Sequence, residues 1–254
     1  MLFMHAEQNA ASRTEQVRRA IEQSELAASP PHPCSYLPGQ VASHLAFQAA
    51  GLAPGIYHSL MDLNFRRSGS VFYRPVCEHC EQCKAIRVVV NEFAPHRAQR
   101  RCWKRNQDLT AEAGKPVPTK EKHQLYLRYL ERRHNRQMAG EWSEFCQFLY
   151  DSPVETIEVV YRLADRLIGV GIVDVEAEAL STVYCYFDPE ATVRSLGVFN
   201  VLWTIEHCRR EMIPHLYLGY YIRECKKMNY KADYQPCEVL GADGCWTRLT
   251  CVSD

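Results

Sequence analysis

The second half of the chain carries the most regular pattern of hydrophobic and polar positions. Three strand-like runs are separated by short polar breaks, at residues 155–164, 166–177 and 180–188. Such a series is typical of an antiparallel meander. Apolar residues at helical spacing then run from Leu196 to Cys208, and a buried strand is predicted after them at residues 215–222.

Further helices are predicted on both sides of this meander. Residues 120–139 have the spacing of an amphipathic helix with basic flanks, residues 141–150 predict a second short helix, and residues 222–229 predict a third. The order of elements predicts an α+β fold, in which helices pack on an antiparallel or mixed sheet. It is also the element order of acetyltransferase-like (GNAT-type) domains, although order alone is an analogy.

The first half of the chain predicts two further units. Residues 1–33 are polar and end in a proline-rich stretch, which favours a partly helical arm or a mobile tail without a core of its own. A segment at 112–120 that is rich in Lys, Pro and Thr predicts a boundary. It would separate a smaller, basic, cysteine-bearing N-terminal subdomain at 34–111 from an acyltransferase-like C-terminal domain at 120–254.

Composition adds limits on location and on chemistry. The 30 basic residues balance the 30 acidic ones, so only local charge clusters can indicate a nucleic-acid partner. No apolar run approaches the roughly 18 residues of a membrane span, and the N-terminus lacks the apolar centre of a signal peptide. We therefore expect a cytoplasmic protein without a membrane partner, whose 12 cysteines are reduced thiols.

Three cysteines follow one another at three-residue intervals in the stretch CEHCEQC: Cys77, Cys80 and Cys83. With Cys34 they make four thiols, a number that suits a tetrahedral zinc ion or an iron–sulfur cluster. The spacing is not the paired CxxC of common structural zinc sites, and His79 or Cys102 could equally supply the fourth ligand. The alternative is a cysteine-rich reduced turn with no metal.

A cluster of cations precedes the boundary. Five basic residues occupy the nine positions 97–105, and on a helix four of them share one broad face: Arg97, Arg101, Lys104 and Arg105. A solvated surface is the usual meaning of such a run. Without acidic partners at helical spacing, however, these cations repel one another unless an anion lies against them. RNA phosphates are such an anion.

A strand-to-helix turn after the meander is the second candidate for anion binding. It consists of Arg194, Ser195, Leu196 and Gly197. Free backbone N–H groups at the start of a helix face outward there and bind phosphate readily. An ordinary helix cap is the alternative.

Seven motifs occur in a fixed order along the chain: CSYLP at 34–38, NFRRSG at 64–69, YRPVCEHCEQC at 73–83, QRRCWKRNQDL at 99–109, YCYFDP at 184–189, RSLG at 194–197 and YLGYYI at 217–222, followed by KMNYKADYQP. Together they resemble the arginyl-tRNA–protein transferase family. The resemblance runs from about Cys34 to Trp246 and is greatest to the compact bacterial branch, the aspartate/glutamate leucyltransferases.

The resemblance implies a donor, an acceptor and a reaction. The donor is leucyl-tRNA, the acceptor is a protein with N-terminal Asp or Glu, and the new peptide bond marks that protein for degradation through the N-end rule pathway. The chemistry needs no cofactor, since the ester is already activated and positioning supplies much of the rate. Eukaryotic members carry a metal-binding cysteine cluster whose spacing differs from CEHCEQC.

The resemblance also suggests roles for individual residues. Guanidinium groups bind carboxylates through two hydrogen bonds, so the acidic acceptor residue would meet the candidates Arg66, Arg67 and Arg74, with Tyr36, Ser68 and Tyr73 as further substrate-binding residues. The RSLG turn would hold the CCA end of the tRNA, and the basic helix would hold its acceptor stem.

Asp188, at the end of the third strand, is the candidate that holds or deprotonates the attacking amine. The alternative for Asp188 is an Asp-Pro turn residue.

Three other functions remain open on the sequence. Arginine could be the transferred residue, since an arginyl pocket differs from a leucyl pocket by a carboxylate that the linear sequence does not reveal. A non-enzymatic RNA-binding protein with a zinc knuckle would explain the first half. An acetyl-CoA-dependent acetyltransferase would explain the second half, although the RSLG turn has one glycine where such turns are usually glycine-rich.

Overall fold

A computed structural model describes residues 2–24, 26–134 and 140–250. Its helices are α1 Leu2–Gln23, α2 Ile56–Asp62, α3 Arg97–Arg105, α4 Lys120–His134, α5 Trp142–Leu149, α6 Leu196–Arg210 and α7 Lys226–Asn229. Its strands are β1 His32–Pro33, β2 Val41–Ala42, β3 His44–Gln48, β4 Arg66–Ser68, β5 Val71–Pro75, β6 Lys84–Val89, β7 Leu109–Gly114, β8 Thr156–Leu163, β9 Arg166–Glu176, β10 Ala179–Phe187, β11 His215–Tyr221, β12 Cys237–Leu240 and β13 Trp246–Arg248. Short 3-10 turns cover Val90–Glu92, Thr192–Arg194 and Tyr230–Asp233.

Eight strands form one large mixed sheet in the order β13-β12-β6-β11-β10-β9-β8-β7. The predicted meander is confirmed as the antiparallel run β8, β9 and β10, with β7 at the edge. Residues Leu167 to Asp174 of β9 are all buried because both faces of the sheet are covered. The predicted α+β class is therefore confirmed, with helices on both sides of a mixed sheet.

Each face of the large sheet has its own core. Helix α6 buries Leu196, Phe199 and Leu202 against one face, where they join Ile86 and Val159 of the strands. Helices α4 and α5 cover the other face in a second cluster. The predicted helix at 120–139 is described as far as His134, and its last residues lie outside the described ranges.

A smaller sheet, β3-β5-β4, lies at the N-terminal side of the fold. Its core contains Tyr57 and Leu60 of α2, and Val17 and Ile21 of α1 pack against this core. The segment 1–33 was expected to have no core of its own. The structure shows a long helix within it that contributes apolar side chains to the core of the small sheet.

The boundary predicted at 112–120 does not separate two sheets. Strand β6 comes from the N-terminal segment, yet it lies between β11 and β12 in the large sheet. Strand β7 extends into the first residues of the predicted boundary and pairs with β8. Strands β6 and β7 therefore belong to the large sheet, although both begin within the segment predicted to be the cysteine-bearing subdomain.

Strands β10 and β11 are parallel, and they pair only from Ala179 with His215 to Ser181 with Tyr217. Beyond that point β10 continues to Phe187 and β11 to Tyr221 without pairing to each other. Both strands have a register irregularity where they part, after Thr182 in β10 and after Tyr217 in β11. Bulges of this kind bend a strand. The gap between residues 182–187 and 218–221 is called the fork below.

None of the helices in the described ranges has both the length and the apolar character that crossing a bilayer requires.

Candidate functional site

Arg66 lies at the base of the fork. Its Nη1 donates to Oγ of Ser181 at 3.1 Å, and its Nη2 donates to the carbonyl oxygen of Thr182 at 2.8 Å. Gly219 of β11 makes room for it, since a β-carbon at Gly219 would lie 3.0 Å from Cζ of Arg66. In the part of the chain that the structure describes, no carboxylate forms an ion pair with Arg66. The guanidinium group is half-buried and available to an anion.

Arg67 has a different environment, although it is the next residue in the chain. Its side chain is 0% exposed and forms two hydrogen bonds to Asp174 of β9, at 2.7 and 2.5 Å. It also donates to the carbonyl oxygen of Gly69 and to Thr156. The prediction that Arg67 binds substrate is therefore corrected: its donors connect the small sheet to the large one, and no surface is left for a substrate.

Arg74 contacts the segment that follows α2. Its Nη1 is 3.4 Å from the carbonyl oxygen of Leu63, and its guanidinium group lies 5.1 Å from the centre of the Phe65 ring. Its Nε is buried without a hydrogen-bond partner. Burial lowers the pKa of Arg74, and the charge of Arg18 lowers it further. Both arginines line a cavity of about 350 Å³ whose wall includes Cys77, Cys80 and Cys83 of the cysteine-bearing loop.

Two of the predicted aromatic residues join Arg66. Tyr73 is its cross-strand partner in β5, and the Tyr73 ring lies 6.3 Å from that of Tyr220 in β11. Burial is the main cause that raises the pKa of Tyr36 to about 12, and Tyr73 contributes to the same shift. Ser68, by contrast, is exposed on the hairpin between β4 and β5 and lines another cavity, beside α5. Arg66, Tyr73 and Tyr36 therefore come together, whereas Ser68 does not join them.

The sequence prediction missed one residue of this site, Lys231. Its Nζ donates to the carbonyl oxygen of Tyr220 at 2.6 Å. Burial lowers its pKa to about 7, and the charge of Arg66 contributes to the same shift. Two other lysines stand in the same motif, KKMNYKADY, and no local pattern distinguishes Lys231 from them.

The predicted phosphate turn lies beside the end of β10, since a β-carbon at Gly197 would lie 3.5 Å from the Phe187 ring. Ser195 adopts a left-handed conformation (φ 52°) without a side-chain capping bond, and α6 begins at Leu196. The first N–H groups of a helix have no acceptor within it, which here applies to Leu196 and Gly197. The Arg194 guanidinium group is already bound to both oxygens of Asp108, each at 2.8 Å. Backbone groups, more than the Arg194 side chain, are therefore the available donors.

The basic helix is α3, and it packs beside this turn. Gln99 and Cys102 face the protein, and five cations are exposed on the other side: Arg97, Arg100, Arg101, Lys104 and Arg105. Arg105 donates to the carbonyl oxygen of Val193, next to the phosphate turn. The basic surface and the turn are therefore continuous.

Asp188 closes the turn that follows β10. One of its carboxylate oxygens accepts from the N–H of Glu190 at 3.0 Å, and the other forms an ion pair with Arg166. The carboxyl group is buried, whereas the Arg166 side chain is 62% exposed. This geometry favours the turn alternative, and a catalytic role for Asp188 stays a prediction.

The other three predicted ligand cysteines lie around Cys83. Burial is the main cause that raises the pKa of the Cys83 thiol to about 12, and Cys34, Cys77 and Cys80 contribute to the same shift. Cys34 accepts from two backbone N–H groups, those of Tyr36 and Leu37. Nevertheless, across the described ranges no three His, Cys, Asp or Glu side chains are arranged to hold a metal ion. The thiols as placed do not fit a zinc or iron–sulfur site, and metal content stays a prediction.

Comparison with known proteins gives matches along most of the chain. The family model for the N terminus of arginine-tRNA-protein transferase matches residues 32–101, and the model for its C terminus matches residues 121–241. The aspartate/glutamate leucyltransferase of Marinobacter nauticus is 40% identical over 226 residues, which are 88% of this chain and 95% of that protein. The protein of the same name from Alcanivorax borkumensis is 42% identical over 221 residues, 86% of this chain and 91% of its own length.

Solved structures give a more distant likeness. The C-terminal domain of a putative lysylphosphatidylglycerol synthetase from Agrobacterium fabrum aligns with a TM-score of 0.49 and 16% identity. The alignment covers 79% of this chain and 69% of that domain.

Proposed function

The chain belongs to the arginine-tRNA-protein transferase family, and on that premise we propose that it transfers leucine from leucyl-tRNA to the α-amino group of proteins with N-terminal Asp or Glu. The names of its bacterial relatives support leucine as the transferred residue and Asp or Glu as the acceptor residue. In this proposal, the new N-terminal leucine marks the acceptor protein for degradation.

The observation that carries the proposal is the position of Arg66. Its guanidinium group lies at the base of a gap between two strands, next to the aromatic residues Tyr73 and Tyr220, and forms no ion pair with a carboxylate of the described residues. Guanidinium binds a carboxylate through two hydrogen bonds, so the acidic side chain of the acceptor residue fits here. The strand edges in the fork offer backbone hydrogen-bonding groups to the aminoacyl ester.

The tRNA has a matching surface outside the fork. The backbone N–H groups at the start of α6 are suited to a phosphate of the CCA end. The exposed cations of α3 lie beside them and are suited to the acceptor stem. Phosphate contacts of this kind position a nucleic acid without reading its sequence.

The reaction does not require a covalent acyl-enzyme. The aminoacyl ester is already activated, so a neutral amine can attack its carbonyl directly. Donors in the site stabilise the oxyanion that forms, and the ribose hydroxyl is the leaving group. The main contributions of the protein are orientation and the removal of a proton.

Transfer assays with two donors test the proposal. The purified protein is incubated with an Asp-initiated peptide and either labelled leucyl-tRNA or labelled arginyl-tRNA. We expect leucine incorporation, and no incorporation into a matched peptide that begins with Ala. Arginine incorporation would overturn the leucyl assignment, and RNA binding without transfer from either donor would favour the RNA-binding alternative.

The Arg66→Met variant tests the acceptor site. We expect it to lower kcat/KM for the Asp-initiated peptide by at least about tenfold, since a charge-assisted hydrogen bond contributes about 1.5–3 kcal/mol. Arg128 is an exposed arginine on α4, and Arg128→Met is the matched control. Equal activity of the two variants would remove Arg66 from the acceptor site.

A further inference from the structure

Two basic side chains meet at the base of the fork, and each is bonded to one of its two strands. Arg66 of β4 donates to the carbonyl oxygen of Thr182, the first residue of β10 beyond the segment that pairs with β11. Lys231, in the turn Tyr230–Asp233, donates to the carbonyl oxygen of Tyr220 in β11. Arg66 also packs against Gly219, the residue before Tyr220. The guanidinium group and the amine therefore lie close together where the strands part.

Lys231 is enclosed, and none of the described residues supplies a counter-charge to it. It is 7% exposed, and its amine contacts the Tyr220 carbonyl oxygen and, at 3.9 Å, the sulfur of Met228. Within the described ranges no carboxylate pairs with it. Lys122 is buried to a similar degree, but its amine forms an ion pair with Glu158. The buried Lys122 amine is therefore balanced by a carboxylate, whereas within the described ranges the Lys231 amine is not.

The titratable groups that face Lys231 come from three elements. They are Arg66 from β4, Cys83 from the loop before β6, and Cys225 from the turn before α7. Burial is the main cause that lowers the pKa of Lys231 to about 7, and Arg66 is the next cause; the two thiols act in the opposite direction. The Cys83 thiol is protonated at pH 7, because burial raises its own pKa to about 12. The Lys231 amine can therefore be neutral near pH 7, whereas an ordinary lysine with a pKa of about 10.4 is protonated there.

We propose that the Lys231 amine is the base that takes a proton from the α-ammonium group of the acceptor protein. This inference rests on the transfer function proposed above. An N–H bond of the ammonium group breaks, and Nζ of Lys231 takes the proton. The freed amine attacks the ester carbonyl and forms the C–N bond. As the C–O bond to the ribose breaks, a second proton passes from that nitrogen to the ribose oxygen. Lys231 then gives its proton to solvent, so each transfer releases one proton.

The pairing of Arg66 with Lys231 suits an acidic N-terminal residue. In an N-terminal Asp, the α-amine and the side-chain carboxyl group are carried on adjacent carbons. A residue whose carboxylate meets Arg66 therefore brings its amine close to Lys231. The same two side chains would then select the acceptor and activate it.

Three variants test the proposal against a purely structural role. Lys231→Met removes the amine, Lys231→Arg keeps a cation and its donors but cannot act as a base, and Lys227→Met changes an exposed neighbour. Each is assayed with an Asp-initiated peptide and with an aminooxy analogue that keeps the carboxylate. The aminooxy group is neutral at pH 7, so it needs no base.

We expect Lys231→Met and Lys231→Arg to lower the transfer rate to the peptide amine by about 100-fold or more, the usual contribution of a general base. Both should retain most of the transfer to the aminooxy analogue, and Lys227→Met should match the wild type. Recovery of amine transfer in Lys231→Arg, or an equal loss with both acceptors, overturns the proposal. A wild-type protein that transfers leucine to neither acceptor would instead refute the transfer function itself.

A direct titration covers the case in which the variants do not fold. The wild-type protein is labelled with ¹³C at the lysine ε-carbons and followed by NMR as the pH is raised. A resonance that titrates near pH 7 supports the proposal. If every lysine resonance of the folded protein titrates near the ordinary value of about 10.4, Lys231 is not the base.

Discussion

Replacing Arg67 with methionine tests whether the two neighbouring arginines of the NFRRSG motif have different roles. Arg67 connects β4 of the small sheet to Asp174 of β9 in the large sheet, and neither side chain is exposed. The substitution keeps an apolar side chain of similar length but removes every donor. Asp174 would retain its hydrogen bond from Thr156 at 2.8 Å and lose its only cationic partner among the described residues.

The expected loss of stability follows from that unpaired carboxylate. Removing one partner of a buried ion pair costs about 3–5 kcal/mol, because the other charge remains buried without compensation. Replacing both partners with apolar residues is often close to neutral. We therefore expect Arg67→Met to lower the free energy of unfolding by about 3–5 kcal/mol, and a double variant with Asp174→Leu to recover much of that loss.

Urea unfolding at pH 7 measures the first effect, and transfer kinetics below the unfolding midpoint measure the second. Arg66→Met is the matched control, since Arg66 is half-buried and has no ion-pair partner among the described residues. We expect Arg67→Met to be less stable with a nearly normal KM for the acceptor peptide, and Arg66→Met to show the reverse. A stability loss below about 1 kcal/mol together with a raised KM for Arg67→Met would refute this reasoning and return Arg67 to the acceptor site.

Four further results are expected. Gly219→Ala places a β-carbon 3.0 Å from Arg66 at a residue with a positive φ of 84°. We expect it to lower the free energy of unfolding by about 1–2 kcal/mol and to reduce transfer as Arg66→Met does. A kcat/KM equal to that of the wild type would contradict this expectation. Asp188→Asn keeps the bond to the Glu190 N–H, so a folded variant should retain most of its activity, and a 100-fold loss, the scale of a lost general base, would restore the catalytic assignment. Metal analysis of anaerobically purified protein should find zinc and iron well below one atom per chain, whereas a stoichiometric metal would show that the cysteines rearrange around it. The pKa of Lys231 is about 7 in the folded protein and about 10.4 in an unfolded chain, so between these pH values the unfolded chain binds one proton more. The free energy of unfolding of the wild type should therefore rise as the pH increases above 7. The same slope of this free energy against pH in Lys231→Met would contradict the shift.

Periodicity predicted the elements that have a regular local pattern. The meander follows from local spacing because its consecutive strands pair, and α6 and β11 follow from the repeat of their own apolar residues. The place of β6 could not be predicted in this way. Its pairing with β11 and β12 joins segments far apart in the chain, and the strand itself looks like any short apolar run.

The candidate site was predicted in part, for a related reason. The NFRRSG motif marks cations beside aromatic residues, but successive strand residues point to opposite faces. This alternation sends Arg66 to the fork and Arg67 to the buried pair. The lowered pKa of Lys231 results from burial and from the charge of Arg66, and the local sequence around Lys231 indicates neither.

The position of β6 also determines when the large sheet can be completed during translation. Val88 pairs with Leu216 on one side and with Cys237 on the other, so a nascent chain that has emerged only as far as β10 cannot complete the centre of its large sheet. Contacts of such long range form slowly, because loop closure precedes them. Strand β11 and Lys231 complete the fork, and both are made in the same late interval. A nascent chain that ends at β10 therefore lacks both strand partners of β6 and the Lys231 amine, so its fork stays incomplete until synthesis has passed residue 231.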